Sequence, residues 1–469
     1  DNFVGGTQST YSEAITCADA VGPVSIENCT VVANFPRGIN RRAAGTVSIT
    51  NSIVWNNGDD DLVGAINLSY SSVGDTNTGT GVIHSDPQFA QGYYLADGSP
   101  CTNAGSDSAV NIGLAGLYAQ SNSSDALQVD LGYHHLPALS VTNIYVSPSG
   151  VDATGTGAAA APYRSVTKAL AMASEHARIN IEAGSYTTNC ETFPLVLETD
   201  GVQLLGTNAA TTLIDAKGAN KRVMDVSGVS RWAVLSNLTF RGGYLNVAGG
   251  NAAGLYLVGT GVRLYDSIIQ TNKLLVPSVA PWVGFGAGVF LKDAMPWFER
   301  CEFRTNINQS GNAAFGGGVC QHGGSSTFIA CRFVGNSAPG GTCYGAALFN
   351  GGAVANAVGY GQMRLFNCLI ISNSASDRAG GIYAAAAALV SLNNCTLAGN
   401  SPHGLYGVAD SSVYATNSIL WDNGIDATGA ITLAYCDIGV AGAAVTTNNC
   451  ISTDPLFVDQ TYCHLQSRR

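Results

Sequence analysis

The chain has 469 residues, of which 11% are charged, 46% are hydrophobic and 57 are glycine, with 13 cysteines and a formal net charge of −11. That balance excludes a coiled coil or helical bundle, which draws on Glu, Lys, Leu and Arg, and offers no basic surface to a nucleic acid. No apolar run reaches the about 18 residues of a transmembrane helix, and the hydrophobic content is too high for disorder, so a β-rich protein with a Ser, Thr, Asn and Gly surface is expected.

In chain order, Asp1–Gly6 have no leader character and read as the middle of a domain. A short pattern then begins: apolar, two residues, Cys or Ser, one residue, apolar, two residues, Asn. It first appears as Ile26, Cys29, Val31 and Asn34, and returns as Ile49, Ser52, Val54 and Asn57. The acidic run Asp59-Asp60-Asp61 follows and reads as a solvated turn. Asp86-Pro87 starts another turn, and the chain continues through Ser99-Pro100-Cys101 to Asp130-Leu131-Gly132-Tyr133. Residues 1–138 are expected to be the C-terminal part of a first repeat-built unit, with the junction at Leu136–Thr142.

A second unit, 143–469, is expected to open with a cap over 143–186. Its strand Ile144-Tyr145-Val146 precedes Ser165, an N-cap for a helix of about three turns. Val166, Ala169, Leu170 and Ala173 give that helix one apolar face to cover the first open coil. A weak copy of the pattern lies at Leu235–Phe240. Full copies follow at Leu264/Ser267/Ile269/Asn272, Phe298/Cys301/Phe303/Asn306 and Phe328/Cys331/Phe333/Asn336. Three more are Leu365/Cys368/Ile370/Asn373, Leu392/Cys395/Leu397/Asn400 and Ala415/Ser418/Leu420/Asn423.

Asn-to-Asn steps of 23, 34, 30, 37, 27 and 23 residues suit one solenoid turn of two or three short strands with loops of free length. The asparagines are expected to occupy left-handed corners and to form an amide ladder through Asn34, Asn57, Asn272, Asn306, Asn336, Asn373, Asn400 and Asn423. Ser267, Cys301, Cys331, Cys368, Cys395 and Ser418 are expected to stack inward as small, free core side chains. Glycine runs such as Gly316-Gly317-Gly318 fit turns where the chain packs against itself.

These motifs and the segment from Ile144 to Tyr186 resemble the right-handed parallel β-helix repeat proteins of bacterial surfaces, a pectate-lyase-like solenoid. The resemblance implies an all-β fold for nearly the whole chain and is weak for activity. Between the two units, Thr50–Trp55 matches Thr416–Trp421, and Ser85–Phe89 matches Thr453–Phe457. The second unit is read as lacking its closing coils.

Large β-helices include polysaccharide lyases and hydrolases, whose chemistry needs specific side-chain sets. No facing carboxylate pair is legible, and Gly424-Ile425-Asp426 does not reproduce the earlier acidic run. No Gly-His-Gly pattern with upstream aspartates, nucleophile elbow, zinc motif or phosphate loop is present. His322-Gly323-Gly324 lacks the acids, and His134-His135 reads as surface. No catalytic, cofactor or metal residue is therefore assigned.

Trp55, Trp421, Trp282, Phe285, Trp297 and Tyr344 could stack on sugars or cover solenoid edges. Cys320 with Cys343, and Cys450 with Cys463, are near enough in sequence to pair. The leading expectation is a non-enzymatic, extracellular or cell-surface bacterial protein. It would be a stiff rod, filament or adhesin segment that associates with itself end to end or side by side. The alternative is a β-helix that binds or degrades polysaccharide, with a glycan as partner.

Overall fold

The computed structural model describes residues 14–17, 23–32, 34, 37–42, 46–57, 60–90, 93–115, 117–120, 125, 127–134, 142–227, 233–277, 283–351, 361–385, 387–459 and 463–465. Asp1–Gly6, Asp59, His135 and Trp282 lie outside these residues, as does most of the expected junction. The chain forms two compact units, Asp1–Ser140 and Val141–Arg469.

The fold is a right-handed parallel β-helix. In the first unit three parallel sheets of three strands each rise coil by coil. One runs through Val24–Glu27, Val47–Thr50 and Asn67–Ser69, and its neighbour through Thr30–Val32, Ile53–Trp55 and Ser72–Val73. In the second unit the three long sheets have twelve, ten and nine strands, joined by smaller sheets of five and three. The described pairings between these strands are all parallel, as they must be when each strand returns one full coil later.

Period-2 alternation selects the core. Leu264, Phe298, Phe328, Leu365, Leu392 and Ala415 are Cα partners in sequence along the twelve-stranded sheet, and all are buried. Inside, Phe298 stacks on Phe328 at 4.8 Å and Phe303 on Phe333 at 4.6 Å, with planes 3° and 5° apart. These ring spacings equal the rise between strands, so register alone sets the stacking.

The helix spans Val166–Met172, two turns rather than three, and Ala173 already turns into extended backbone at ψ 126. Ser165 accepts from Lys168 N at 3.0 Å. Glu191 does more for the same end: its carboxylate accepts from Val166 N at 2.7 Å and Thr167 N at 2.8 Å. Burial raises the Glu191 pKa despite these bonds. Val166, Ala169 and Leu170 face the core.

Candidate functional site: a buried amide column and an outer aromatic column

Each coil contributes one residue to several columns, among them one of buried amides and one of aromatic rings. The first lies inside. Asn272 Nδ2 donates to Asn306 Oδ1 at 3.1 Å, Asn306 to Asn336 at 3.0 Å and Asn336 to Asn373 at 3.0 Å. Asn373 donates to Asn400 at 2.9 Å, and Asn400 to Asn423 at 2.8 Å. Each acceptor oxygen also takes the backbone N–H of the preceding asparagine, as Asn373 Oδ1 does from Asn336 N at 2.8 Å. The first unit has the same link from Asn34 to Asn57, at 2.9 Å.

These asparagines do not occupy the left-handed corner. From Asn57 onward the residue before each one does: Asn56, Thr271, Thr305, Gly335, Ser372, Gly399 and Asp422, with φ between 50° and 62°. The asparagine is needed for its amide, which bridges side chain, backbone and the next coil. A glycine in the next sheet leaves the space: a Cβ on Gly404 would lie 2.8 Å from Asn423 Cγ.

Both rows end on a carboxylate. Asp61 Oδ1 accepts from Asn57 N and Nδ2 at 2.8 and 2.7 Å, and its Oδ2 accepts from Gly74 N at 2.8 Å. Asp426 accepts from Asn423 N and Nδ2 at 2.9 and 2.8 Å, and from Val440 N at 2.6 Å. Asp61 is therefore buried rather than solvated, and Asp426 is its counterpart. The two were not matched in sequence because one sits four residues and the other three after its asparagine. Burial raises the Asp61 pKa against the pull of these donors.

Beside the amide row, Ser267, Cys301, Cys331, Cys368, Cys395 and Ser418 are all buried. Cys331 touches both Cys301 and Cys368, and Cys368 touches Cys395. The run continues through Cys436, which neighbours Cys450. Each thiol donates to carbonyls, as Cys331 Sγ does to Phe298 O at 3.5 Å. The serines serve the same place differently: Ser418 Oγ accepts from Cys395 N at 3.0 Å. All thirteen cysteines are free, so Cys320 does not pair with Cys343, nor Cys450 with Cys463. Burial pushes the Cys331 and Cys320 thiols well up, which makes them poor nucleophiles.

The second column lies on the outer face of the nine-stranded sheet. Tyr256, Phe290, Cys320, Phe349, Tyr383 and Tyr406 are successive Cα partners. Tyr256 stacks with Phe290 at 5.7 Å, Phe349 with Tyr383 at 5.6 Å, and Tyr383 with Tyr406 at 5.2 Å. A second row from the small three-stranded sheet covers it, Phe285 on Phe315 on Tyr344, each step at 5.3 Å. The rows touch at Phe285–Phe290, 5.9 Å, at Phe315–Phe349, 4.8 Å, and at Tyr344–Tyr383, 4.9 Å.

Charge marks both ends of this column. At one end the Arg222 guanidinium lies 4.1 Å from the Tyr256 ring centre and pairs with Asp225 at 3.0 Å. At the other, Arg378 lies 5.9 Å from the Tyr344 ring and 5.5 Å from the Tyr406 ring, and pairs with Asp377 at 3.8 Å. His403 packs edge-on against Tyr406 at 5.3 Å, and burial followed by Arg378 lowers its pKa. Tyr344, Tyr406 and His403 are half-buried, so this end presents ring faces, phenols, a guanidinium and a carboxylate together. Midway along, His322 sits against Phe285 at 4.5 Å and Phe290 at 5.3 Å, and burial lowers its pKa to about 4.

Of the aromatics singled out in sequence, Phe285 and Tyr344 belong here. Trp297 lies on the outer face of the twelve-stranded sheet, 37% exposed, its indole donating to Glu299 at 3.2 Å. Trp55 and Trp421 cover the next coil, against Gly74 and Gly439. His134 is buried, not superficial, and bonds Asp125 at 2.6 Å. Asp86 and Asp454 each accept the amide two residues on, from Gln88 and Leu456 at 2.8 Å. No helix among the described residues is long and apolar enough to cross a membrane.

Residues 148–251 match a family model described as a protein of unknown function (DUF1565). No curated protein sequence matches the chain. Among solved structures, similarity extends to a pectin methylesterase mutant in complex with a hexasaccharide, at 12% identity and TM-score 0.33, covering 69% of this chain and 97% of that one. A pectate lyase gives 12% identity and TM-score 0.33 over 69% and 84%. The pectin methylesterase from Aspergillus niger gives 15% and 0.30 over 70% and 94%.

Proposed function

We propose that this chain binds a polysaccharide, outside the cell, along the flank of its second unit, with the sugar seated at the Tyr344–Tyr383–Tyr406 end of the aromatic column. The observation that carries this reading is the meeting of half-buried Tyr344 and Tyr406 with Arg378 and Asp377. Ring faces offer apolar stacking for the C–H face of a sugar. The guanidinium suits a carboxylate or paired hydroxyls, which favours an acidic polymer. Titration of the full chain with polygalacturonate and with a neutral glucan tests it. Tyr406→Ala and Arg378→Ala should each weaken binding about tenfold, whereas Trp297→Ala should not. Absence of binding to any polymer on a broad glycan array would reject the reading.

A second role as a stiff segment of a rod, filament or adhesin is supported by the unbroken amide row from Asn272 to Asp426. Micrographs of the full chain showing rods or end-to-end filaments would favour it, and isolated short particles would count against it.

A further inference from the structure

The two units differ in what lies beside their last coils. In the first unit the chain itself fills a groove there. Ser99 Oγ donates to Pro87 O at 2.6 Å. Ser106 N donates to Asn51 Oδ1 at 2.8 Å, and Asn51 Nδ2 returns a bond to Ser106 Oγ at 3.0 Å. Gly132 N donates to Asn51 O at 2.8 Å, and Tyr133 N to Thr30 Oγ1 at 2.9 Å. Gly132 has φ +92, and a Cβ there would lie 2.6 Å from Thr30 Oγ1 and 2.9 Å from Ile53 Cδ1. Cys101, Ala119 and Leu131 close over Ile53 and Leu95, which are 1% and 3% exposed.

The second unit rebuilds the seat. Thr396, Asn417, Ser418, Ile419, Asp454 and Pro455 stand where Thr30, Asn51, Ser52, Ile53, Asp86 and Pro87 stand. The local pairings agree. Thr396–Ala398 pairs with Ile419–Trp421 as Thr30–Val32 pairs with Ile53–Trp55. Asp437 bridges to Ile451 as Ser72 does to Ile83, and Phe457 to Leu465 as Phe89 does to Leu95. Yet Leu465 is 57% exposed, Ile451 60% and Tyr435 59%. With Asn417, Ile419 and Asp454 they line a cavity of about 590 Å³.

We propose that this cavity is the docking seat for a polypeptide closing segment with the chemistry of residues 96–134. A Ser-x-Cys turn would sit on Pro455, a Gly-Ser pair on the Asn417 amide, and a Leu-Gly pair on Ile419 and the Asn417 carbonyl. One difference refines the occupant. Ser72 faces Cys101, whereas Asp437 stands in its place and accepts from Thr453 N at 3.1 Å. The segment must therefore bring a donor to that point. This inference does not depend on the glycan reading.

The test grafts residues 96–134 directly after Leu465 of the full chain, the register that superposes Leu95 on Leu465. Hydrogen exchange of the Tyr435 and Ile451 amides should slow at least about tenfold relative to the ungrafted chain. Ile419→Lys in the graft should reverse the slowing. In parallel, a synthetic 96–134 peptide should bind the full chain one to one, and lose binding when its Gly132 is replaced by Val. Unchanged exchange in the graft together with no peptide binding, or equal slowing by a scrambled graft, would overturn the proposal.

Discussion

The amide column and the aromatic column obey one geometry and use it in opposite ways. Both repeat once per coil. The inner one is a single residue type from Asn272 to Asn423, because every member after the first must give two protons and take two in a place without water. The outer one tolerates Tyr, Phe and Cys, because its members need only flat or compact surfaces to touch. Uniformity therefore marks a position whose polar atoms are all answered by its own chain, and variety marks one that needs only contact.

The sharpest way to break the comparison is Asn336→Ala, in the middle of the row. It removes the acceptor for Asn306 N and Nδ2 and the donor to Phe303 O, leaving buried polar groups unpaired. A loss of roughly 3 kcal/mol or more in chemical denaturation is expected. A loss below about 1 kcal/mol would mean that the row is decorative. Next comes acid. The folded-state pKa of His322, about 4, lies below its unfolded value, so its share of stability is complete above about pH 6.5 and falls away as the pH drops toward 4. Unfolding midpoints of the full chain measured from pH 7 to pH 4 should decline, and His322→Phe should flatten the decline by on the order of 2 kcal/mol.

Smaller in stability, but decisive for function, is Tyr406→Phe. It keeps the stack on Tyr383 and removes only the phenol oxygen, so unfolding should shift by less than about 1 kcal/mol. Polysaccharide affinity measured by calorimetry should still fall severalfold, while a pure packing role would leave it unchanged. The least effect is expected from Cys395→Ser. Ser418 and Ser267 already show that the column accepts a hydroxyl, so a change within about 1 kcal/mol is expected. Reducing agent should leave the melting curve unaltered, because no cysteine is bridged.

The coil architecture was legible because core alternation and the asparagine recur together whatever the loop length. What was misplaced follows from the same cause. The left-handed residue changes identity from Asn56 to Thr271 to Gly335, so the eye goes to the constant neighbour. The aromatic column was largely invisible. Its members alternate with buried Leu348, Ile382 and Leu405, and successive coils differ in length, so Phe349, Tyr383 and Tyr406 share no motif. Arg378 escapes notice because a bridge to Tyr344, across a loop, brings it to the rings. His134 read as surface for want of any sign that Asp125 would meet it.

The carboxylates of Asp61 and Asp426 carry a consequence of their own. Every amide in the row gives one hydrogen to the amide oxygen of the later coil and the other to a backbone carbonyl of an earlier one, so the side-chain row has a head and a tail. A carboxylate can receive at the tail but has nothing to hand on, and its second oxygen turns aside to a backbone N–H. One added oxygen in place of nitrogen thus works as a full stop: an aspartate in this column fixes how many coils the polar thread may join, and replacing it with asparagine would invite the thread to run on.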